Sequence, residues 1–326
     1  MKQREALLRV RDLRTHFYTD RGIVRAVDGV SLDIFPGEIV GLLGESGSGK
    51  TALGLSISRL ILSPGKILDG SSIQFKGKEL LALDDQKIKQ IRGREIGMVF
   101  QDPMTYLNPL MRIVDQIAET LIVHKNLRIE EARKEAVEIL EMVQIRDAKV
   151  VAKCYPHQLS GGMRQRVLLA IAIACKPSLV IADEPTTALD TLVQTQILKL
   201  VRELKDKLEA SFLLISHDIG VIASLCDRAY VMYAGKIVEG GDIKSLFNHP
   251  KHHYTQALLE AAMSMYHGNG LVTIEGSVPD LVNPPTACRF HLRCQSADSR
   301  CRQHEPVLER KDDGHEFACW RPIEHG

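Results

Sequence analysis

The stretch Gly44-Glu45-Ser46-Gly47-Ser48-Gly49-Lys50-Thr51 constrains the fold more than any other part of the chain. It satisfies the pattern G-x-x-x-x-G-K-[ST] in the context that the pattern requires. The apolar run Ile39–Leu43 before it predicts a strand, and Lys50 to Leu62 predicts a helix that Ser63-Pro64-Gly65 stops. Gly44, Gly47 and Gly49 let the backbone curl, so that successive N–H groups, those of Ser46 and Ser48 included, face phosphate oxygens. The positive end of the helix dipole stands behind them. Lys50 adds a charge at the β and γ phosphates, and Thr51 offers a hydroxyl to Mg²⁺.

The rest of the chain alternates strand and helix patterns. Leu7 to Val10 and Val30 to Ile34 predict early strands. Apolar residues three and four apart predict helices over Arg128 to Val143 and Val193 to Leu208, and Met163 to Cys175 predicts another. Short β-rich runs at Leu179 to Ile181 and Phe212 to Ile215 fall among them, an alternation that implies a parallel sheet. Ala229 to Glu239 predicts a hairpin about Tyr233-Ala234-Gly235-Lys236, followed by helical segments at Ile243 to Phe247 and Tyr254 to Met263. The longest apolar stretch, Val167 to Cys175, stops after nine residues, short of the ~20 that a membrane-spanning helix needs. No apolar run follows the N-terminal Met1-Lys2-Gln3-Arg4, so a secretory signal is not expected. Forty-two basic against forty-one acidic residues leave a formal charge of +1, which gives no global field to draw the chain onto nucleic acid.

Leu179-Val180-Ile181-Ala182-Asp183-Glu184 is an apolar strand ending in two carboxylates, as a Walker B segment does. Asp183 would reach the Mg²⁺ shell, and Glu184 would polarise the attacking water as a general base.

Between these two motifs, Leu159-Ser160-Gly161-Gly162-Met163-Arg164-Gln165-Arg166 resembles the ABC signature, with Met163 where the family more usually has Gln. Ser160 and the N–H groups of Gly161 and Gly162 at a helix start would form a second anion site. The resemblance implies that this site grips the γ-phosphate held by an opposite subunit. Three further positions resemble the family: Gln101 as the Q-loop glutamine near Mg²⁺ and the attacking water, His217 as the switch histidine, and Asp190 of Thr187-Ala188-Leu189-Asp190 as the D-loop aspartate. The resemblance also implies an adenine-stacking aromatic early in the chain, at Phe17 or, alternatively, Tyr18. Gln101 to Pro109, Tyr155-Pro156-His157-Gln158 and Asn248 to Thr255 narrow the resemblance to ATPase subunits of oligopeptide/dipeptide importers, and the C-terminal cysteines narrow it to dipeptide-type D subunits.

The resemblance implies an α/β fold: a P-loop NTPase (RecA-like) core with an antiparallel β subdomain and an α-helical signature subdomain at about 102–165. The ATPase domain would span 1–240, a helical linker 241–267 and a C-terminal extension 268–326. It implies ATP and Mg²⁺, a second ATPase subunit in a heterodimer, two transmembrane permease subunits, an extracytoplasmic solute-binding protein, and a peripheral place on the cytoplasmic side of the cell membrane. Close relatives carry nickel or other small solutes, which stay open as cargo. A DNA-repair or translation ATPase of the same superfamily would need long coiled coils or two ATPase units, and neither pattern is present.

Cys288, Cys294, Cys301 and Cys319 crowd a segment too weakly hydrophobic to build a core unaided. Their spacing lacks the close pairs of structural zinc sites. It suits a 4Fe-4S cluster, a pattern that dipeptide-type relatives resemble; zinc and free or paired thiols remain alternatives.

Overall fold

The computed structural model describes residues 5–187, 189–267, 273–311 and 314–325, with side chains up to 264 in the helix that ends at 267. It separates into two compact units, one of Met1–Phe35, Ile39–Leu81 and Ile215–Gly326, the other of Pro36–Glu38 and Ala82–Leu214.

The first unit begins with a hairpin of two long strands, β1 (Leu8–Thr19) and β2 (Gly22–Ile34). Register shifts at Val10/Leu13 and Thr15/Phe17, with Asp12 at φ 45°, break the period-two alternation. That interruption is why the sequence predicts only two short strand ends here. Next come β3 (Ile39–Leu43) and helix α1 (Lys50–Ile57). Helix α1 stops five residues before the expected Leu62, although the Pro64 stop signal is real. Arg59 adopts φ 52°, Leu60 N–H donates to Leu55 O at 2.8 Å, and Arg59 N–H donates to Ser56 O at 2.9 Å. This paired closure terminates the helix without a glycine. Strands β4 (Gly65–Ile67) and β5 (Ser72–Phe75) pair antiparallel with β1, and β6 (Lys78–Glu79) pairs with β5. Leu8, Val10, Leu13, Val27 and Ile34 are fully buried along this sheet.

The second unit opens with α2 (Asp85–Ile91), capped by Asp84, which accepts from Lys87 N–H at 2.8 Å. Strand β7 (Ile96–Val99) precedes α3 (Pro103–Tyr106), α4 (Ile113–Lys125), α5 (Ile129–Met142), α6 (Ala148–Val151) and α7 (Gly161–Ile173). Strand β8 (Leu179–Asp183) pairs parallel with β7, as the alternating pattern predicts, and is followed by α8 (Thr191–Leu208) and β9 (Ser211–Ser216). The two periodic helices bury the faces their spacing marks: Ala132, Ala136 and Leu140 in α5, Ile197, Leu200 and Leu204 in α8. Helix α4 was not legible. It buries Ile113, Ile117 and Leu121 but leaves Val123 63% exposed, so its apolar residues do not fall on one stripe.

The chain then returns to the first unit with α9 (Ile219–Leu225) and the hairpin β10 (Arg228–Tyr233) and β11 (Lys236–Asp242). Ala234 and Gly235 turn it at φ 46° and 84°, the doubly left-handed turn that suits strand twist. Strand β10 runs parallel to β3. Helices α10 (Ile243–Asn248), α11 (His253–His267) and α12 (Ser299–Gln303) follow, then β12 (Glu309–Arg310) and β13 (Glu316–Phe317), the last paired with β11. The expected boundary near 268 lies outside the described residues. No helix among the described residues is long and apolar enough to cross a membrane.

The C-terminal segment docks through buried charge. Glu239, fully buried on β11, accepts from Lys251 N–H at 2.5 Å and His252 N–H at 2.9 Å, and lies 2.8 Å from His315 Nε2. Arg289, 6% exposed, donates to Ala234 O and to the Asp28 carboxylate. Burial pushes the Asp28 carboxyl up, but the charges of Arg289 and Lys236 and the Arg289 hydrogen bond outweigh it and hold it below its ordinary value. Glu239→Ala is expected to destabilise the protein by about 3 kcal/mol, because two backbone donors lose their acceptor. Equilibrium denaturation would measure it.

Candidate functional site

In the first unit, β3 is buried along its whole length and delivers the chain into the phosphate loop. Ser48 N–H donates to Glu45 O at 3.2 Å, and Gly235 N–H of the β10–β11 turn donates to Ser48 O at 2.8 Å. Lys50, 5% exposed, folds its ammonium back over the loop and donates to Gly44 O at 2.8 Å and Glu45 O at 2.9 Å. A Cβ on Gly44 would lie 2.2 Å from Met232 O, and one on Gly49 would lie 2.0 Å from Ala26 O. Both glycines are therefore required by close backbone approach, and Gly49 also sits at φ 104°. Gly47, at φ 80°, faces open space. The Ser48 hydroxyl is buried with no hydrogen-bond partner among the described residues. A buried orphan hydroxyl among converging amides fits a phosphate-sized acceptor, and Ser46 and Thr51 are exposed at the loop's rim. Gly49→Ala is expected to destabilise by about 3 kcal/mol and remove nucleotide binding, while Gly47→Ala costs about 1 kcal/mol; calorimetry with and without ATP separates the two.

His217 lies just past β9 and is exposed. Its neighbours fix its backbone: Asp218 N–H donates to Ser216 Oγ at 3.0 Å, and the Asp218 carboxylate caps α9 by accepting from Gly220 N–H at 2.8 Å. Phe17 is half-buried on β1 opposite Val24 and Gly65, where a Cβ on Gly65 would meet its ring at 2.7 Å. Tyr18, the alternative, is 47% exposed. Thr15, two residues before Phe17, joins β1 to α1 through a 2.7 Å contact of its hydroxyl with that of Ser56.

In the second unit, all five residues of β8 are buried and Asp183 at its end is 2% exposed. Glu184 follows at φ 46°, a left-handed conformation that costs a non-glycine residue about 1–2 kcal/mol and concentrates at functional sites. Its Oε2 accepts from Gln101 Nε2 at 2.7 Å and from Thr187 Oγ1 at 2.9 Å. The structure thus brings Gln101 and Thr187 onto the Glu184 carboxylate. The signal for Thr187 was a hydroxyl three residues past the glutamate, where the turn closes with Thr187 N–H donating to Glu184 O at 3.2 Å. Beyond Gln101, Asp102 caps α3 and accepts from Thr105 Oγ1 at 2.7 Å and Met104 N–H at 2.9 Å. Those hydrogen bonds, Thr105 first, hold its carboxyl below the usual value.

Ser160 is the N-cap of α7 and accepts from Met163 N–H at 3.4 Å. Ser160 and Gly161 are exposed, so the start of this 13-residue helix faces outward, as an anion site requires. A Cβ on Gly162 would lie 2.7 Å from Val193 Cγ1, and one on Gly161 3.6 Å from Leu189 Cδ2. Asp190 caps α8 by accepting from Val193 N–H at 2.9 Å. The signature turn and the Asp190 turn are therefore neighbours, although Ala188 between Thr187 and Leu189 lies outside the described residues.

Cys288, Cys294, Cys301 and Cys319 line one small cavity with His252, Phe290 and Trp320. All four are free thiols. Burial pushes Cys288 up to about 11 and Cys319 up to about 12, and also raises Cys294 and Cys301. Among the described residues no group of three or more His, Cys, Asp or Glu side chains is poised to hold a metal ion. The expected 4Fe-4S site is therefore not formed among the described residues, although the four thiols line the same cavity.

The family description "ABC transporter" matches residues 27–187, and "Oligopeptide/dipeptide transporter, C-terminal region" matches 238–301. The oligopeptide transport ATP-binding protein AppD of Bacillus subtilis (strain 168) is 46% identical, covering 98% of this chain and 98% of that protein. The oligopeptide transport ATP-binding protein OppD of Escherichia coli (strain K12) is 43% identical over 99% of this chain and 95% of its own length. Among solved structures, a dimeric post-hydrolysis state of the ATP-binding cassette MJ0796 bound to ADP and Pi aligns with a TM-score of 0.65 at 29% identity. It covers 72% of this chain and 98% of that one. With both nucleotide motifs formed and the likeness running end to end, the chain belongs to the ATP-binding proteins of ABC transporters, in the oligopeptide/dipeptide branch.

Proposed function

We propose that this chain is the ATP-hydrolysing subunit of a peptide importer, and that Glu184 is its general base. The observation that carries the catalytic reading is the Glu184 carboxylate, strained at φ 46° and held at one oxygen by Gln101 and Thr187. A carboxylate so placed would take a proton from the attacking water. The phosphate-loop amides and Lys50 orient the ATP phosphates, and the hydroxyl of Thr51 and the carboxylate of Asp183 would hold Mg²⁺. That ion neutralises charge on the β and γ phosphates when bound. Ser160 and the N–H groups of Gly161 and Gly162 complete the site of a second ATPase subunit, and Asp190 lies at that interface. His217 contacts the γ-phosphate and Phe17 stacks on adenine.

Permease docking falls on the surface following Gln101. Leu110 is 86% exposed, Met104 56% and Tyr106 49%, and Leu110 lines a groove with Arg112, Glu119, Val123, Ile129 and Tyr155. An apolar patch with a charged rim suits a short helix from a membrane protein. Two permeases, a second and different ATPase subunit and a solute-binding protein complete the importer, with this chain peripheral on the cytoplasmic side. Peptide cargo rests on the names of the relatives and on the C-terminal match. Vesicles carrying the complete complex, loaded with ATP and given labelled peptides, nickel or a sugar in parallel, test the cargo. Peptide uptake alone is expected; nickel or sugar uptake without peptide uptake overturns it.

The four thiols fit a cysteine-ligated cluster as donors, and we read Cys288, Cys294, Cys301 and Cys319 as holding 4Fe-4S. Bound there, it would cross-link a segment short of apolar core. Anaerobically purified protein is expected to be brown with about four irons per chain, and Cys301→Ser to lose both. Colourless protein containing zinc or no metal contradicts this reading.

A further inference from the structure

We infer that Arg293, in the C-terminal segment, is a positioning residue for nucleotide: it holds and neutralises Glu45, the second residue of the phosphate loop. The inference rests on the phosphate loop binding ATP. The two residues are 248 positions apart in sequence, yet Arg293 Nη1 donates to both Glu45 carboxylate oxygens, at 2.9 and 3.1 Å. The Arg293 side chain is 6% exposed and that of Glu45 26%, so the pair is shielded from salt and water more than a surface bridge would be.

The rest of the guanidinium is already committed. Nε donates to Glu275 O at 2.9 Å and Nη2 to Ile274 O at 3.1 Å. The cation also lies 5.8 Å from the Tyr233 ring centre and 5.9 Å from that of Phe290. Two backbone carbonyls and two rings fix its orientation, so Glu45 meets a preformed partner and does not recruit a free arginine. Glu45 is held a second time, through its own N–H, which donates to Tyr254 Oη at 2.9 Å. The Tyr254 ring packs on Tyr233 and Phe290, with centres 4.5 and 5.3 Å away.

The chemical need for this arrangement follows from charge. Glu45 is a carboxylate inside a loop whose amides and lysine gather to receive a polyanion. Left unpaired, it opposes that anion, since like charges at such range repel strongly where water is partly excluded. Neutralised by Arg293, it leaves the loop's amides and Lys50 to dominate the local field. Lys50 also donates to Glu45 O, so a misplaced Glu45 would disturb the ammonium as well.

Titration with a fluorescent ATP analogue plus Mg²⁺, on the full chain, tests this with four variants. Arg293→Gln is expected to weaken binding at least tenfold and to raise the KM for ATP with kcat changed less than threefold. Arg293→Lys should restore part of the affinity, and Glu45→Gln alone sets the reference affinity for a loop without that carboxylate. The decisive variant is Arg293→Gln with Glu45→Gln: removing the unpaired carboxylate should recover most of the lost affinity. A purely structural arginine would leave the double variant as weak as the single one. Equal affinity for Arg293→Gln and wild type, or no recovery in the double variant, overturns the inference. Wild-type protein that binds no ATP would instead refute the nucleotide reading beneath it.

Discussion

Glu184→Gln is expected to lower ATP turnover by about 10²–10⁴-fold, the usual contribution of a positioned general base, while ATP still binds. The substitution is close to isosteric, and an amide oxygen can still accept from Gln101 Nε2 and Thr187 Oγ1, now at 2.7 and 2.9 Å. The strained turn at φ 46° therefore has no reason to relax. What disappears is the basicity of the carboxylate. Gln101→Ala and Thr187→Ala each remove one donor and leave the base, so their effects should be smaller, about tenfold in turnover. Phosphate release under saturating ATP gives all three numbers, and loss from Gln101→Ala larger than from Glu184→Gln would assign the base elsewhere.

Lys50→Ala should have the other large effect, on binding. The residue is 5% exposed, and its ammonium supplies the charge-assisted hydrogen bonds that phosphate needs. Removing it also takes a donor from Gly44 O and Glu45 O. ATP affinity is expected to fall by at least 100-fold, about 3 kcal/mol. Fluorescent-nucleotide titration measures this, and affinity within fivefold of wild type would mean that the phosphates sit elsewhere.

What the sequence made legible is what short-range pattern encodes. The phosphate loop, the Asp183-Glu184 strand end and the α5 and α8 faces each carry their signal within about twenty residues, and all formed where expected. The sequence pattern shows only two fragments of the early hairpin β1–β2, because its bulges hide the alternation. Helix α4 carries no clean local signal, because part of its apolar surface faces outward at Val123. Helix α1 ended early through an arginine at φ 52°, a conformation that residue identity does not announce. Glu184 carries a similar hidden feature: its carboxylate was legible, its backbone strain was not. Least legible were partners supplied from afar. Tyr254 and Arg293 reach Glu45 across more than two hundred residues, and no local pattern predicts such contacts. The cysteine convergence lies between these cases, since spacing flagged the four thiols but not the cavity that gathers them.

The central claim is that Glu184-assisted hydrolysis by this chain powers movement of a peptide. Simultaneous measurement of phosphate release and labelled-peptide uptake in vesicles bearing the full complex, with wild-type chain or Glu184→Gln, addresses it most directly. Both activities should be present with the wild type and fall together with the variant. Peptide uptake at the wild-type rate with Glu184→Gln, or phosphate release undiminished, would contradict it.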